Sequence, residues 1–315
     1  MTNTIESFAE EIKNCIEEKL RDEKEKYTVS LLEKTKNNDI KLHGIAIRPE
    51  GLNAVPLIYL ENYYDSYLDG RSVEDISDGI ISLSAELRKE APAFRMPDLE
   101  DDSIKDRLRV KLVNTFTNTD TLQKMVRRDV GCGFTLTPYI DLPESSGING
   151  IIQVTKDLAK AMGFDERQLM ETALDNSASM DPAYLKRISE LVRGDDCEDL
   201  LTAEARREDS ILVLGHESTE FGAVALFYPG MRQRISEIVG GDYYVLPSSV
   251  HEILIVPDNG DYSSTQLMQM VMAVNKNELM PQDKLADKVL LYRSDLALLT
   301  VAEDMERESM LDIAR

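Results

Sequence analysis

Residues 107–114, RLRVKLVN, alternate basic and apolar side chains, the period-two pattern of a strand with one face on a core and the other in water. That stretch commits this part of the chain to a sheet, and its surroundings decide which kind. KLHGIAIRPEG followed by NAVPLIYLENYY reads as a hairpin turning at Arg48-Pro49-Glu50-Gly51, and residues 126–142 as a strand pair across Gly131 and Gly133. Further strands are predicted at 211–215, 222–230, 243–247 and 252–258, with a closing antiparallel pair hinged near Ser294-Asp295.

Helical spacing occupies the intervals. Over residues 4–26, Thr4 can cap a helix with Ser7 in its first turn, and Ile5, Phe8, Ile12, Cys15, Ile16 and Leu20 share one face. Mixed charge on the other face suits a helix that docks on a partner. Residues 73–90 are helical up to the stop at Ala91-Pro92, and helix dominates about 155–205, broken at Gly163, Asp181-Pro182 and Gly194. Two more helices fall at 231–241 and about 262–274. Strands joined by short turns, with helices between groups of strands, predict an α+β fold with mixed, mainly antiparallel sheets and a helical middle region. If the chain has two parts, the boundary falls near 205, giving 1–205 and 206–315.

Charge and cysteine content exclude several functions. The net charge of -22 is spread along the chain, and such a surface repels a phosphate backbone, which argues against a nucleic-acid partner. Cys15, Cys132 and Cys197 are odd in number and far apart, supporting neither a disulfide framework nor a zinc site. The first 20 residues are acidic where a signal peptide would be basic, and no apolar run approaches the roughly 20 residues of a membrane span. A reduced, cytoplasmic setting is expected.

Motifs that hold cofactors or metals are not found, and neither is expected. Gly131-Cys132-Gly133 is a lone GxG between strands, so a tight turn or bulge fits it better than a pyrophosphate loop. His43, His216 and His251 lie in separate strand regions without chelating spacing, and Asp258-Asn259-Gly260-Asp261 lacks the register of a calcium loop. One junction does gather groups capable of nucleophilic chemistry: Ser248, Ser249, His251 and Glu252 lie between two strands. A serine nucleophile needs a base within hydrogen-bond reach and a third group to orient it. The competing reading is a turn in which the hydroxyls bond local backbone.

The run Asp242-Tyr243-Tyr244-Val245-Leu246-Pro247-Ser248-Ser249-Val250-His251-Glu252-Ile253-Leu254-Ile255-Val256-Pro257, taken with Ile58-Tyr59-Leu60, Tyr63-Tyr64 and Gly70-Arg71-Ser72, resembles a bacterial family of unknown function common in anaerobic gut Firmicutes. The resemblance covers nearly the whole chain and implies a bacterial cytoplasmic protein, with no activity or site residues to carry over. The leading functional expectation is therefore a non-enzymatic protein-binding or regulatory role. A hydrolase using the Ser/His junction is the alternative, and an acidic mimic of nucleic acid carried by a mobile element is a third.

Overall fold

The structure, a computed structural model, describes residues 4–52, 55–90, 103–142, 150–194, 196–203, 207–218 and 220–302. The predicted stop at Ala91-Pro92 lies outside the described residues. Two compact units emerge, Met1–Asp98 with Leu142–Gly150, and Leu99–Asp141 with Ile151–Arg315. The fold is α+β, and among the described residues every strand pairing is antiparallel.

The first unit contains α1 (Ile5–Leu20), β1 (Tyr27–Thr35), β2 (Lys41–Pro49), β3 (Ile58–Tyr59), α2 (Glu61–Leu68) and α3 (Val73–Glu90), with sheet order β1-β2-β3. Thr4 caps α1 as predicted: its hydroxyl accepts the Ser7 N–H, and Ser7 returns the bond to the Thr4 N–H. The apolar face of α1 does not wait for a partner. Phe8, Ala9, Ile12 and Ile16 are buried with Val29, Ile45, Ile47, Ile76 and Ile80, so the helix is consumed by the core of its own unit. The predicted hairpin forms, with Gly44 opposite Tyr59, but the long partner of β2 is β1, in register from Tyr27↔Pro49 to Thr35↔Lys41. In β1 only Val29 is buried, so YTVSLLEKT carries little of the alternation that betrays a strand.

The second unit contains α4 (Ser103–Asp106), β4 (Leu108–Asn114), α5 (Thr119–Lys124), β5 (Arg128–Gly131), β6 (Phe134–Asp141), β7 (Ile151–Gln153), α6 (Lys156–Ala161), α7 (Glu166–Met180), β8 (Ala183–Arg187), α8 (Ile188–Arg193), β9 (Leu212–His216), α9 (Met231–Val239), β10 (Tyr243–Leu246), β11 (Ile253–Pro257), α10 (Ser264–Asn277), β12 (Leu290–Arg293) and β13 (Leu298–Val301). One sheet runs β4-β6-β5, with β7 also on β6, and the other runs β13-β12-β10-β11-β9-β8. Gly131-Cys132-Gly133 is the turn between β5 and β6, with Cys132 at φ 53 and a register shift beside it.

One sequence expectation changes here. Residues 222–230 are not a strand: Gly222–Phe227 form a 3-10 turn with Gly222 through Leu226 all buried. A short, uniformly apolar run has no periodicity to separate the two. The helical middle also contains β8, which pairs with β9 from Ala183↔His216 to Arg187↔Leu212, so one sheet spans residue 205 and the compact units part near residue 98.

Candidate functional site

β4 was expected to show one face to water, yet all seven of its residues are buried. Arg109 and Lys111 occupy its polar face, and the register places Tyr139 and Thr137 of β6 opposite them. The 3-10 turn after β9 supplies the cover. Phe221, at its start, lies 5.5 Å from the Tyr139 ring, and Lys111 Nζ stands 5.2 Å from the Phe221 ring. A buried sheet face bearing two cations is costly unless each is compensated.

Asp181 does this for Arg109. It follows α7, at the Asp181-Pro182 break, and its Oδ2 accepts Arg109 Nε–H at 3.1 Å. The guanidinium also donates from Nη1 to the carbonyls of Asp106 and Leu108, at 2.7 and 3.0 Å. The Tyr228 hydroxyl donates to the Asp181 carbonyl at 3.3 Å. His216, the last residue of β9, is buried, with Nδ1 2.9 Å from the Ser218 hydroxyl.

Burial shifts His216 and three of the ionisable groups around it. Burial pushes His216 below the usual histidine range, opposed in part by the charge on Asp181. Burial raises the Tyr139 and Tyr228 phenols, and Asp181 raises both further. Asp141 is raised by burial against the pull of Arg109. His216, Tyr139, Asp141 and Tyr228, from two strands and the end of the 3-10 turn, thus each feel the charge of Asp181, and perturbed groups gathered in this way mark functional sites.

Residues 5–294 match the model of a family described as a family of unknown function, DUF5688, a span that takes in strands and helices of both units. The chain belongs to that family. No curated protein and no solved structure matches it.

In this DUF5688 chain the sequence-predicted junction joins β10 to β11 and is built as a turn. The Ser249 hydroxyl accepts the backbone N–H of His251 at 3.0 Å, and Ser248 is tied through its main chain to Leu246 and Leu285. The His251 ring has both nitrogens engaged: Nδ1 accepts the Phe221 N–H at 3.4 Å, and Nε2 lies 3.4 Å from Asp283. Its ring also stacks on Phe221 at 6.0 Å. Glu252 is exposed and acts on the Tyr184 phenol instead, adding to the upward push of burial. Among the described residues neither serine hydroxyl bonds the imidazole, so Ser248, Ser249, His251 and Glu252 share a turn without forming a nucleophile–base pair. Ser249→Ala is expected to cost about 1 kcal/mol, the value of one turn hydrogen bond, as a shift in urea midpoint. A loss of about 3 kcal/mol or more would mean that the hydroxyl holds more than the turn.

Among the described residues, no three or more His, Cys, Asp and Glu side chains are placed to hold a metal ion, and no helix is long and apolar enough to cross a membrane.

Proposed function

We propose that this DUF5688 chain is a protein-binding module that engages its partner through α10. The observation carrying this reading is the composition of an exposed helix. Across STQLMQMVMAVNKN the only charged residue is Lys276, in a chain where 30% of residues are charged. Leu267 and Val271 seat α10 on Leu246, Val256, Val289 and Leu291. Met270, Met272 and Val274 flank that seat and stay exposed, Met272 by 55%. Charge depletion and methionine enrichment are compositional marks of the buried part of a protein interface. Exposed Asp258, Asp261, Glu278 and Asp287 bracket the helix in sequence, which favours a partner with an apolar contact face and a basic rim. Paired surface charges such as Lys41–Glu33 and Arg167–Glu171 interrupt the carboxylates elsewhere, unlike the ordered acidic stripe that a nucleic-acid mimic requires.

The test is the double variant Met270→Glu/Met272→Glu. Because both side chains are exposed, its unfolding midpoint should stay within about 0.5 kcal/mol of the parent. Binding of an environment-sensitive hydrophobic dye should fall, and a partner retained by the parent chain from its native lysate should be lost. Equal dye binding and equal retention by the two chains would sink the reading.

A further inference from the structure

The loop between β9 and the 3-10 turn carries an arrangement that the sequence does not advertise. Ser218 is exposed, while the imidazole that its hydroxyl contacts at 2.9 Å is buried. After it the chain is tightly placed: Phe221 sits at φ 61, and Gly222 is pressed so closely against β9 that a Cβ there would lie 2.9 Å from the His216 backbone nitrogen. A serine open to solvent with a base within hydrogen-bond reach of its hydroxyl is the core of an activated nucleophile. Asp181, whose charge reaches His216, is itself oriented by Arg109.

We propose that Ser218 is a nucleophile toward carboxylic esters, with His216 as its general base and the Asp181–Arg109 pair stabilising the imidazolium. This site is separate from the α10 surface and does not depend on it. Ser218 Oγ bonds to the ester carbonyl carbon while its proton passes to His216 Nδ1. Collapse of the adduct breaks the bond to the alkoxide, which leaves with that proton. Water, giving a proton to the same nitrogen, then cleaves the acyl–Ser218 bond, releases the acid and restores the serine. Exposed Glu217 and Glu220 flank the hydroxyl and repel anions, so the substrate class is uncharged or cationic esters rather than phosphoesters. Burial keeps His216 neutral at pH values where an ordinary histidine is charged, leaving Nδ1 able to accept the proton.

An alkyl fluorophosphonate tests this on the full chain, because capture joins phosphorus to Oγ and expels fluoride. Peptide mass mapping should place the label on Ser218, and Ser218→Ala should abolish it. His216→Gln should slow labelling about 100-fold. Its fold is checked by circular dichroism, since His216 is buried. If that variant does not fold, the pH dependence of the parent decides: an unperturbed histidine base loses about fourfold between pH 8 and pH 6, and here the loss should be smaller. No label on Ser218 in the folded parent overturns the assignment. So does a rate unchanged in folded His216→Gln, or, where that variant fails to fold, a drop of about fourfold or more by pH 6.

Discussion

Gly222→Ala is expected to be among the most destabilising single-methyl changes in the second unit. The added Cβ would lie 2.4 Å from the His251 carbonyl oxygen, 2.9 Å from the His216 nitrogen and 3.0 Å from the Gly215 Cα. All three are backbone atoms, so no flexible side chain can swing aside. Either the 3-10 turn lifts from β9, drawing Phe221 off Lys111, or the β10–β11 junction moves away. Overpacking of this kind costs about 1–3 kcal/mol when side chains can adjust, and backbone on every side places this case at or above the upper figure. Urea denaturation of the purified chain reads it directly. A loss below about 1 kcal/mol would mean that the turn sits more loosely than these distances imply.

The second large effect belongs to Asp181. Asp181→Asn preserves shape but removes the counter-charge of a guanidinium whose side chain is 9% exposed, leaving a cation held by two backbone carbonyls. Breaking one side of a buried pair costs about 3–5 kcal/mol, and the 17% exposure of Asp181 argues for the lower end. Replacing both partners with apolar residues, as in Arg109→Met/Asp181→Leu, is expected to recover much of that loss, because no orphaned charge remains. A double variant as unstable as Asp181→Asn would show that the cost lies in shape rather than charge. Loss of Asp181 also removes the charge that partly holds up the pKa of His216, so its titration should move further down, as followed by the ring-proton chemical shift.

Much of the second unit can be read from pattern alone. The strand pair across Gly131 and Gly133, the paired β10 and β11, and the closing pair β12 and β13 stand where alternation and turn residues put them. What pattern misreads is β4. Period two assigns Arg109 and Lys111 to one face correctly, but it assumes that a basic face is wet. The cover comes from Phe221 and Tyr228, more than a hundred residues later, in a run whose uniform apolarity hides its 3-10 geometry. The candidate site is illegible for the same reason, since positions 109, 139, 181, 216 and 228 share no spacing. At residues 248–252 proximity in sequence suggests chemistry, whereas the hydroxyl of Ser249 is taken up by the chain's own backbone.

The separation in sequence between Arg109 and Asp181 bears on the order of events during synthesis. The buried residues of the first unit's core all lie between Phe8 and Ile80, and its sheet pairs segments that follow one another along the chain. On the ribosome the residues of that core have all been made while β4 is still emerging. Arg109 must wait 72 residues for its carboxylate. Phe221, which closes over Lys111, comes later still. Until then a nascent strand with alternating bare cations stands open, and those charges give it the self-repulsion that keeps an unpaired edge from joining its neighbours on a polysome.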